Sequence, residues 1–491
     1  MVAMTNLAEI QAMIPDSSLV NISEDAARAL MIARVGTDSR EVKEGELFVA
    51  LRGDRFDAHD FLSDIVKLGV SAAIISNKES CPENLPAIYV ADTKESLGKL
   101  AAAWRSRFDI PLVLVTGSNG KTTVKEMIAS IFRSVVGEAA TLVTHGNLNN
   151  EIGLPMTLLQ LNADHRLAVV ELGMNHPGET AHLAKIAGPT IVLINNAQRE
   201  HQEFMNSVAA VAEEHSAALM ALPIDGVAVF PAESEFSVYW RKAAAERNVI
   251  DFILLSSAGQ SNSNSGHSGH QAAVQGRLLS NGQIEIQAGE AAIAVQLTTL
   301  GNHNVRNALA ASAVALAAGV DLEKIKQGLE SFSPVKGRMQ PKTLSARQTL
   351  IDDSYNANPD SVLAAIDALK QSGTLAWLVL GDMGEVGDQG PEFHREIGAY
   401  AAEQGIVRLF AIGEQCRFAV KGFNDTQKKL RLASRSDHFT DLATLNLELI
   451  HALRSDVVIK NRALNILVKG SRFMRMERVA QTLLEEVKAC S

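Results

Sequence analysis

Cysteine, long apolar runs and positive charge are all in short supply, and each shortage removes a class of protein. Cys81, Cys416 and Cys490 lie far apart and show no metal-ligand spacing, so they read as reduced thiols in a cytoplasmic protein. Hydrophobic residues reach 46%, yet no uninterrupted apolar run approaches the roughly 20 residues that span a bilayer. The start, Met1-Val-Ala-Met-Thr-Asn-Leu-Ala-Glu9, lacks the basic opening and apolar core of a secretion signal. With 46 Lys and Arg against 56 Asp and Glu the net charge is −10, which argues against nucleic acid, whose binding rests on many cationic contacts to phosphate. Neither membrane insertion nor a nucleic-acid partner is expected, and any anionic substrate must be held by a few local basic groups.

The 491 residues exceed one ordinary core, so two to four domains are expected. What is present centres on Val113-Leu-Val-Thr-Gly-Ser-Asn-Gly-Lys-Thr-Thr123, an apolar run that breaks into a glycine-bearing turn and continues as Val124-Lys-Glu-Met-Ile-Ala-Ser-Ile-Phe132. The first part suits a buried strand, and Val124, Ile128 and Ile131 recur at helical spacing. Gly117 and Gly120 let the backbone bend and bring its N–H groups onto a polyphosphate, where the helix N-terminus adds favourable potential. Lys121 would reach the β- and γ-phosphates and the Thr122 hydroxyl a magnesium ion. Gly117, Ser118, Asn119, Gly120, Lys121, Thr122 and Thr123 are therefore the expected Mg-ATP loop. The spacing departs from the usual Walker pattern, because Gly117 stands three residues before Gly120 and Val115 occupies the position five before it. The competing reading is a strand-to-helix turn whose Lys and Thr merely cap the helix.

Before this loop, Glu46-Leu-Phe-Val-Ala-Leu51, Ser71-Ala-Ala-Ile-Ile-Ser76 and Ala87-Ile-Tyr-Val-Ala91 read as strands of a small α/β unit, with a helix near Phe61 to Leu68. The polar clusters Thr37-Asp-Ser-Arg40 and Arg52 to Phe61 alone read as solvated loops. After the loop, Leu167–Leu172, Thr190–Asn195 and Gly226–Phe230 alternate with helical stretches, which predicts a mostly parallel sheet with ligands at its carboxyl edge. Glu171 and Asn195 end their strands on that edge. Gly259 to His270 is a low-complexity insert read as a flexible surface loop. Gly301-Asn-His-Asn-Val-Arg-Asn307 opens an alanine-rich helix and sets His303, Asn304 and Asn307 near one face. A further α/β unit follows, with strands near Thr349–Ile351, Leu375–Leu380, Arg408–Ile412 and Leu464–Val468, and with polar loops at Gly381–Glu385 and Lys469–Arg472.

Together these segments resemble the Mur ligases, the ATP-dependent amide-forming enzymes of peptidoglycan synthesis. The resemblance is carried by Thr116–Thr123, Gly146-Asn-Leu-Asn-Asn-Glu-Ile-Gly-Leu-Pro155, Asp352-Asp-Ser-Tyr-Asn-Ala-Asn-Pro-Asp-Ser361 and Val468-Lys-Gly-Ser-Arg472. Within the family these motifs look like the member that joins D-Ala-D-Ala to UDP-MurNAc-tripeptide. The resemblance implies an α/β protein of three domains: a small UDP-binding unit over residues 1–108, a central P-loop-type parallel-sheet ATPase over 109–335 and a C-terminal Rossmann-like unit over 336–491 that binds the incoming dipeptide. The expected cofactors are ATP and Mg2+, in two ions, and the expected state is a monomer.

By position, the resemblance gives Lys121 the γ-phosphate, Thr122 and Glu171 one magnesium and His201 the second, with Arg338 reaching the phosphates from the domain junction. Asn307 with His303 or Asn304 is to contact adenine, and Asp353 the ribose. Ser39, Arg40, Asp57 and His59 resemble the uridine-diphosphate site. Asn149 and Asn150 join the substrate set, as do Lys469, Ser471 and Arg472, the candidates for the dipeptide pocket. Many relatives carry a carbamylated lysine beside the second magnesium, and that position here holds His215. The second metal is then expected to be held without a carbamate, either with His215 or Glu214 substituting or more loosely. A sister ligase using a single amino acid and an ATP-hydrolysing switch protein are the alternative functions.

Overall fold

The computed structural model describes residues 4–53, 55–255, 271–455 and 462–490. The insert at 259–270 lies outside the described residues. Among the described residues, a two-stranded ribbon of Thr5–Asn6 and Met31–Ile32 accompanies three larger sheets, which organise the chain in sequence order.

The first runs Ser18–Val20, Ala87–Tyr89, Ala72–Ile75, Glu46–Val49 and Arg34–Gly36, parallel except at the 18–20 edge. Leu47, Phe48, Val49 and all of Ala72–Ile75 are buried, as a sheet covered on both faces requires. Helix Thr93–Arg105 leaves this unit. Asp92 caps it, accepting from the N–H groups of Lys94 and Glu95. Its Leu97, Leu100, Ala101 and Trp104 share one core with Leu154, Leu158 and Leu183 of the next unit, so the helix joins the two by burial as well as by chain.

The central sheet has nine strands. Leu112–Thr116 lies between Leu167–Glu171 and Ile191–Ile194, parallel to both. The connection after Leu112–Thr116 leads to the edge strand Thr141–Val143, whereas that after Leu167–Glu171 crosses to Ile191–Ile194 on the other side. Connections leaving in opposite directions open a crevice at the carboxyl ends. The sheet continues in parallel through Val227–Pro231, Asn248–Leu255 and Val274–Leu278, then turns antiparallel through Ile284–Ala288 and Ala291–Val295. This ribbon goes beyond the parallel sheet that the sequence predicts. Its turn pairs Ala288 with Ala291 across Gly289 and Glu290, and Gly289 has φ +59°.

Helix Lys121–Val136 buries Val124, Met127, Ile128 and Ile131 against the sheet and against helices Asn302–Ala317 and Leu322–Ser331. The third sheet runs Gln340–Ser345, Gln348–Asp353, Leu464–Lys469, Leu375–Gly381, Arg408–Ile412 and Arg435–Phe439, with only the first pair antiparallel. Its carboxyl ends at Asp353 and Lys469, and Gly384 in the loop after Leu375–Gly381, line the cleft shared with the central unit. No helix among the described residues is long and apolar enough to cross a membrane.

Candidate functional site

The loop after Leu112–Thr116 needs φ of +131° at Gly117 and +79° at Gly120, values that favour glycine. A Cβ on Gly120 would stand 2.7 Å from Asn307 Oδ1 and 2.9 Å from Asn195 Nδ2. These amides form a relay. Asn195 donates to Asn119 O at 2.8 Å and to Asn307 Oδ1 at 3.0 Å, Asn307 donates to Asn304 Oδ1 at 3.2 Å, and Asn304 donates to Leu300 O at 2.8 Å. The loop is thus fixed against the start of helix Asn302–Ala317. His303 beside the relay is held neutral, its pKa pushed down to about 4 mainly by burial.

Lys121 folds over its own loop, with Nζ donating to Gly117 O at 2.5 Å and Ser118 O at 3.3 Å. Thr122 Oγ1 and Glu171 Oε2 are buried and accept or donate no hydrogen bond among the described residues. Oxygens so placed are costly unless something meets them, and a hard divalent cation takes such oxygens. The pair therefore fits magnesium. The other Glu171 oxygen accepts from Asn149 Nδ2 at 2.8 Å, and the Glu171 N–H donates to Thr144 Oγ1 at 2.9 Å. Lys125, absent from the sequence expectations, is fully buried, donates to Thr144 O at 2.7 Å and lies 3.9 Å from Glu171 Oε2.

Residues 199–201 split their side chains between two domains. Arg199 makes paired contacts to Asp360 (2.6 and 3.0 Å) and to Glu396 (2.8 and 3.2 Å), both in the third unit. Burial would lower the Arg199 guanidinium, but these two carboxylates hold it above its ordinary value. His201, at φ +47°, puts Nδ1 2.7 Å from Glu385 Oε2. Glu200 turns the other way and is buried. Its Oε1 meets His215 Nε2 at 2.9 Å, while Oε2 stands 3.5 Å from Lys121 Nζ and 3.8 Å from His201 Nε2. Burial would raise this carboxyl, but Lys121, His215 and His201 hold it well below the usual carboxylate range.

The expectation that His215 or Glu214 ligates the second metal is corrected here. His215 has both ring nitrogens engaged, Nδ1 by Thr116 Oγ1 at 2.9 Å and Nε2 by Glu200. Glu214 caps helix Glu179–Ala187, accepting from the N–H groups of Gly178 and Thr180, each at 2.9 Å. Glu200 escaped the sequence reading because it sits in a polar stretch with no periodicity. His215, fifteen residues on and in contact with it, was the available signal.

The opposite wall comes from the third unit. Arg338 lies over the Tyr355 ring at 4.1 Å, and Arg472 over the same ring at 5.8 Å. Asp353 accepts from Met339 N at 2.9 Å and Lys469 Nζ at 2.6 Å, and Lys469 also donates to Asn356 O at 3.0 Å. Lys469 thus holds Asp353 rather than standing open to a dipeptide. The Ser471 hydroxyl donates to Ala357 O at 2.9 Å and accepts from Gly384 N at 2.8 Å, so it ties two loops together. Arg472 remains the exposed cation of that group. Asn119 and Asn358 exchange amide hydrogen bonds between the units at 2.9 and 3.3 Å.

One cleft of about 1060 Å³ collects Ser118 to Thr123, Asn149, Asn150, Glu171, His201, His303, Asn304, Asn307, Arg338, Asp353, Lys469, Ser471 and Arg472, with Glu200 and Glu385 added. Asn150 Oδ1 is already used, capping helix Gly153–Leu158 through the Ile152 and Gly153 N–H groups. Ser39, Arg40, Asp57 and His59 lie outside the cleft, in the first unit. Arg40 pairs with Asp38 on the surface. His59 is 3% exposed, with Nδ1 2.5 Å from Asp57 Oδ1 and Nε2 accepting from Ser76 N at 2.9 Å. It fixes the loop and has no ring nitrogen left for a ligand. Cys416, Asp382 and His394 are clustered and buried in the third unit, and all three are engaged with backbone groups.

Three family models match in succession: "Mur ligase family, catalytic domain" at residues 31–105, "Mur ligase middle domain" at 115–315 and "Mur ligase, glutamate ligase domain" at 337–471. The chain is 36% identical over 460 residues to the UDP-N-acetylmuramoyl-tripeptide-D-alanyl-D-alanine ligase of Haemophilus influenzae, covering 94% of this chain and 95% of that one. It is 37% identical over 452 residues to the ligase of the same name in Escherichia coli, covering 92% and 93%. The solved structure of MurF from Acinetobacter baumannii matches with a TM-score of 0.84 and 32% identity, covering 98% of this chain and 99% of that one.

Proposed function

The chain belongs to the Mur ligase family, and from that premise we propose that it joins D-alanyl-D-alanine to UDP-N-acetylmuramoyl-tripeptide, cleaving ATP to ADP and phosphate. The product is the pentapeptide precursor of peptidoglycan. The enzyme works in the cytoplasm as a monomer.

A carboxylate does not condense with an amine in water unless one oxygen becomes a good leaving group. The tripeptide carboxylate takes the γ-phosphoryl group of ATP, giving an acyl phosphate and ADP. The dipeptide amine then attacks the acyl carbon, and the tetrahedral intermediate collapses with loss of phosphate. Both steps gather negative charge at one point. Lys121 and the N–H groups of the glycine loop stabilise it, and Arg338 reaches the phosphates from the opposite wall. Magnesium, held by Thr122 and Glu171, supplies further positive charge to the phosphate oxygens. Asp353 takes the ribose, and His303 with the Asn304–Asn307 relay forms the adenine side. Ser39, Arg40 and the Asp57 loop hold the uridine diphosphate, with His59 acting through that loop, and Arg472 meets the dipeptide carboxylate.

The observation that carries this reading is the pair of buried oxygens without a hydrogen bond, Thr122 Oγ1 and Glu171 Oε2, at the edge of a cleft whose other wall is a second α/β unit. A nucleotide switch needs the first feature and not the second. The test is phosphate release from ATP with UDP-MurNAc-tripeptide, comparing D-Ala-D-Ala, single amino acids and no amine. Release that requires D-Ala-D-Ala and yields pentapeptide is expected. Release with a single amino acid would make the protein a sister ligase, and release without either substrate would make it a switch.

A further inference from the structure

Glu200 has one oxygen anchored and one left over. Oε1 takes His215 Nε2, and His215 is itself fixed through Nδ1 by Thr116 Oγ1, a residue of the strand that carries the phosphate loop. Oε2 accepts no hydrogen bond among the described residues and faces Lys121 Nζ and His201 Nε2, at 3.5 and 3.8 Å. A buried carboxylate with a spare oxygen needs a cation near it. Lys121 serves while it rests on Gly117 O and Ser118 O. A polyphosphate in the loop draws Nζ towards its own oxygens, and Glu200 Oε2 is then left facing the cleft without its counter-charge.

His201 completes the argument. Its side chain is set by a left-handed backbone, φ +47°, an uncommon state for a residue other than glycine. Its Nδ1 is met by Glu385 across the domain junction, which leaves Nε2 towards Glu200. The 3.8 Å from Nε2 to Oε2 is too long for a hydrogen bond. Adjacent ligands of an octahedral ion, each about 2.1 Å from it, stand about 3 Å apart, so Nε2 and Oε2 need to close by less than about 1 Å to share one.

We propose that Glu200 is a catalytic residue whose Oε2 ligates, with His201 Nε2, a second divalent cation beside the phosphate loop, and that His215 is the positioning residue that presents it. Oxygens of the nucleotide phosphate, the substrate carboxylate and water fill the remaining positions. The proposal rests on the ligase reading, which brings those oxygens to the cleft. Hydrogen bonding of a ligating carboxylate by a second residue is the usual way such a ligand is oriented. His215 thereby contributes to metal binding without touching the metal, and no modified lysine is required.

The probe is Mn2+, counted by electron paramagnetic resonance on the full chain with a non-hydrolysable ATP analogue and UDP-MurNAc-tripeptide. The wild type is expected to bind two ions and Glu200→Gln one. His215→Gln is expected to keep both, with the weaker loosened about 10- to 100-fold. If Glu200→Gln fails to fold, Glu200→Asp replaces it, with the second ion weakened at least tenfold. An unchanged second ion in Glu200→Gln, or in Glu200→Asp, overturns the proposal, as does a wild type that binds one ion. Phosphate release with D-Ala-D-Ala is measured on the same wild-type preparation. Normal release with an unchanged ion count in the variant removes the role of Glu200 alone, whereas absent release removes the ligase reading.

Discussion

Lys125 Nζ stands 3.9 Å from Glu171 Oε2, and the two side chains are 0% and 2% exposed. A lysine one helical turn beyond Lys121 thus lies beneath the phosphate site and balances the carboxylate expected to hold magnesium. Lys125 also pairs with the partly exposed Glu126 at 2.9 Å, so Lys125→Met takes a shared cation from both and strands Glu171 as the buried charge, at a cost of about 3 kcal/mol. Denaturation of the variant should show a loss of that order, recovered in Lys125→Met with Glu171→Gln. An unchanged denaturation midpoint for Lys125→Met would contradict this role.

Lys121 bonds chiefly to its own loop. Its removal should strike the chemistry and also leave the buried Glu200 carboxylate without the cation 3.5 Å from it. Lys121→Ala is expected to lower kcat by about 10²- to 10³-fold or more, the usual cost of one donor to developing charge. Its melting temperature should fall, and Lys121→Ala combined with Glu200→Gln should recover part of the loss. A variant that turns over normally would show that another cation serves the phosphate.

Gly120→Ala meets two obstacles together: φ of +79° and a Cβ 2.7 Å from Asn307 Oδ1. The strained backbone alone costs about 1–2 kcal/mol. The displaced amide should break the Asn195–Asn307 bond. Calorimetry should find weaker ATP binding together with a lower melting temperature. Normal binding would mean that the loop can open without the relay.

Arg199 links the central unit to Asp360 and Glu396 of the third. Arg199→Ala removes charge-assisted bonds of about 1.5–3 kcal/mol each before solvent screening. Small-angle scattering should show a larger radius of gyration for the variant, and its KM for ATP should rise. High salt should narrow the difference between variant and wild type. An unchanged radius would assign the docking to Asn119–Asn358 and His201–Glu385.

His303 gives a pH dependence of definite sign. Its pKa falls from 6.5 to about 4 on folding, so between those values the unfolded chain binds the extra proton. Its contribution is fully present above pH 6.5 and is lost as the pH falls towards 4, by about 1.4 kcal/mol per unit across that window. Stability curves of His303→Gln should be flatter than the wild type over this range. Parallel curves would place the acid sensitivity elsewhere.

The parts of the molecule legible in the sequence are those set by local pattern. The run Val113–Thr123 announces strand, turn and helix because apolar period, glycine and Gly-Lys-Thr fall in consecutive residues. Most strands of the third sheet are legible for the same reason. Contacts made through space are not. Lys125 looks like a solvated helix residue until the Thr144 carbonyl and Glu171 are seen around it. Glu200 looks like one more charge in a polar loop, and only the fold brings His215 to its side. His59 by itself reads as part of a solvated loop, and only the resemblance places it at the uridine-diphosphate site; the fold buries it, with Asp57 and Ser76 on its two nitrogens. The antiparallel ribbon at 274–295 consists of strands of five residues joined without helices, too short for a local period to mark them.

The polar junction contacts of Asn119, Arg199 and His201 start from the two loops that also line the phosphate end of the cleft. In mechanical terms this is an interlock. The third unit cannot swing away without releasing residues that shape the phosphate pocket, so parting of the units and loosening of that pocket are one motion. A compound wedged between Asn119 and Asn358 would hold the interlock open and stop turnover while both substrate subsites stayed empty.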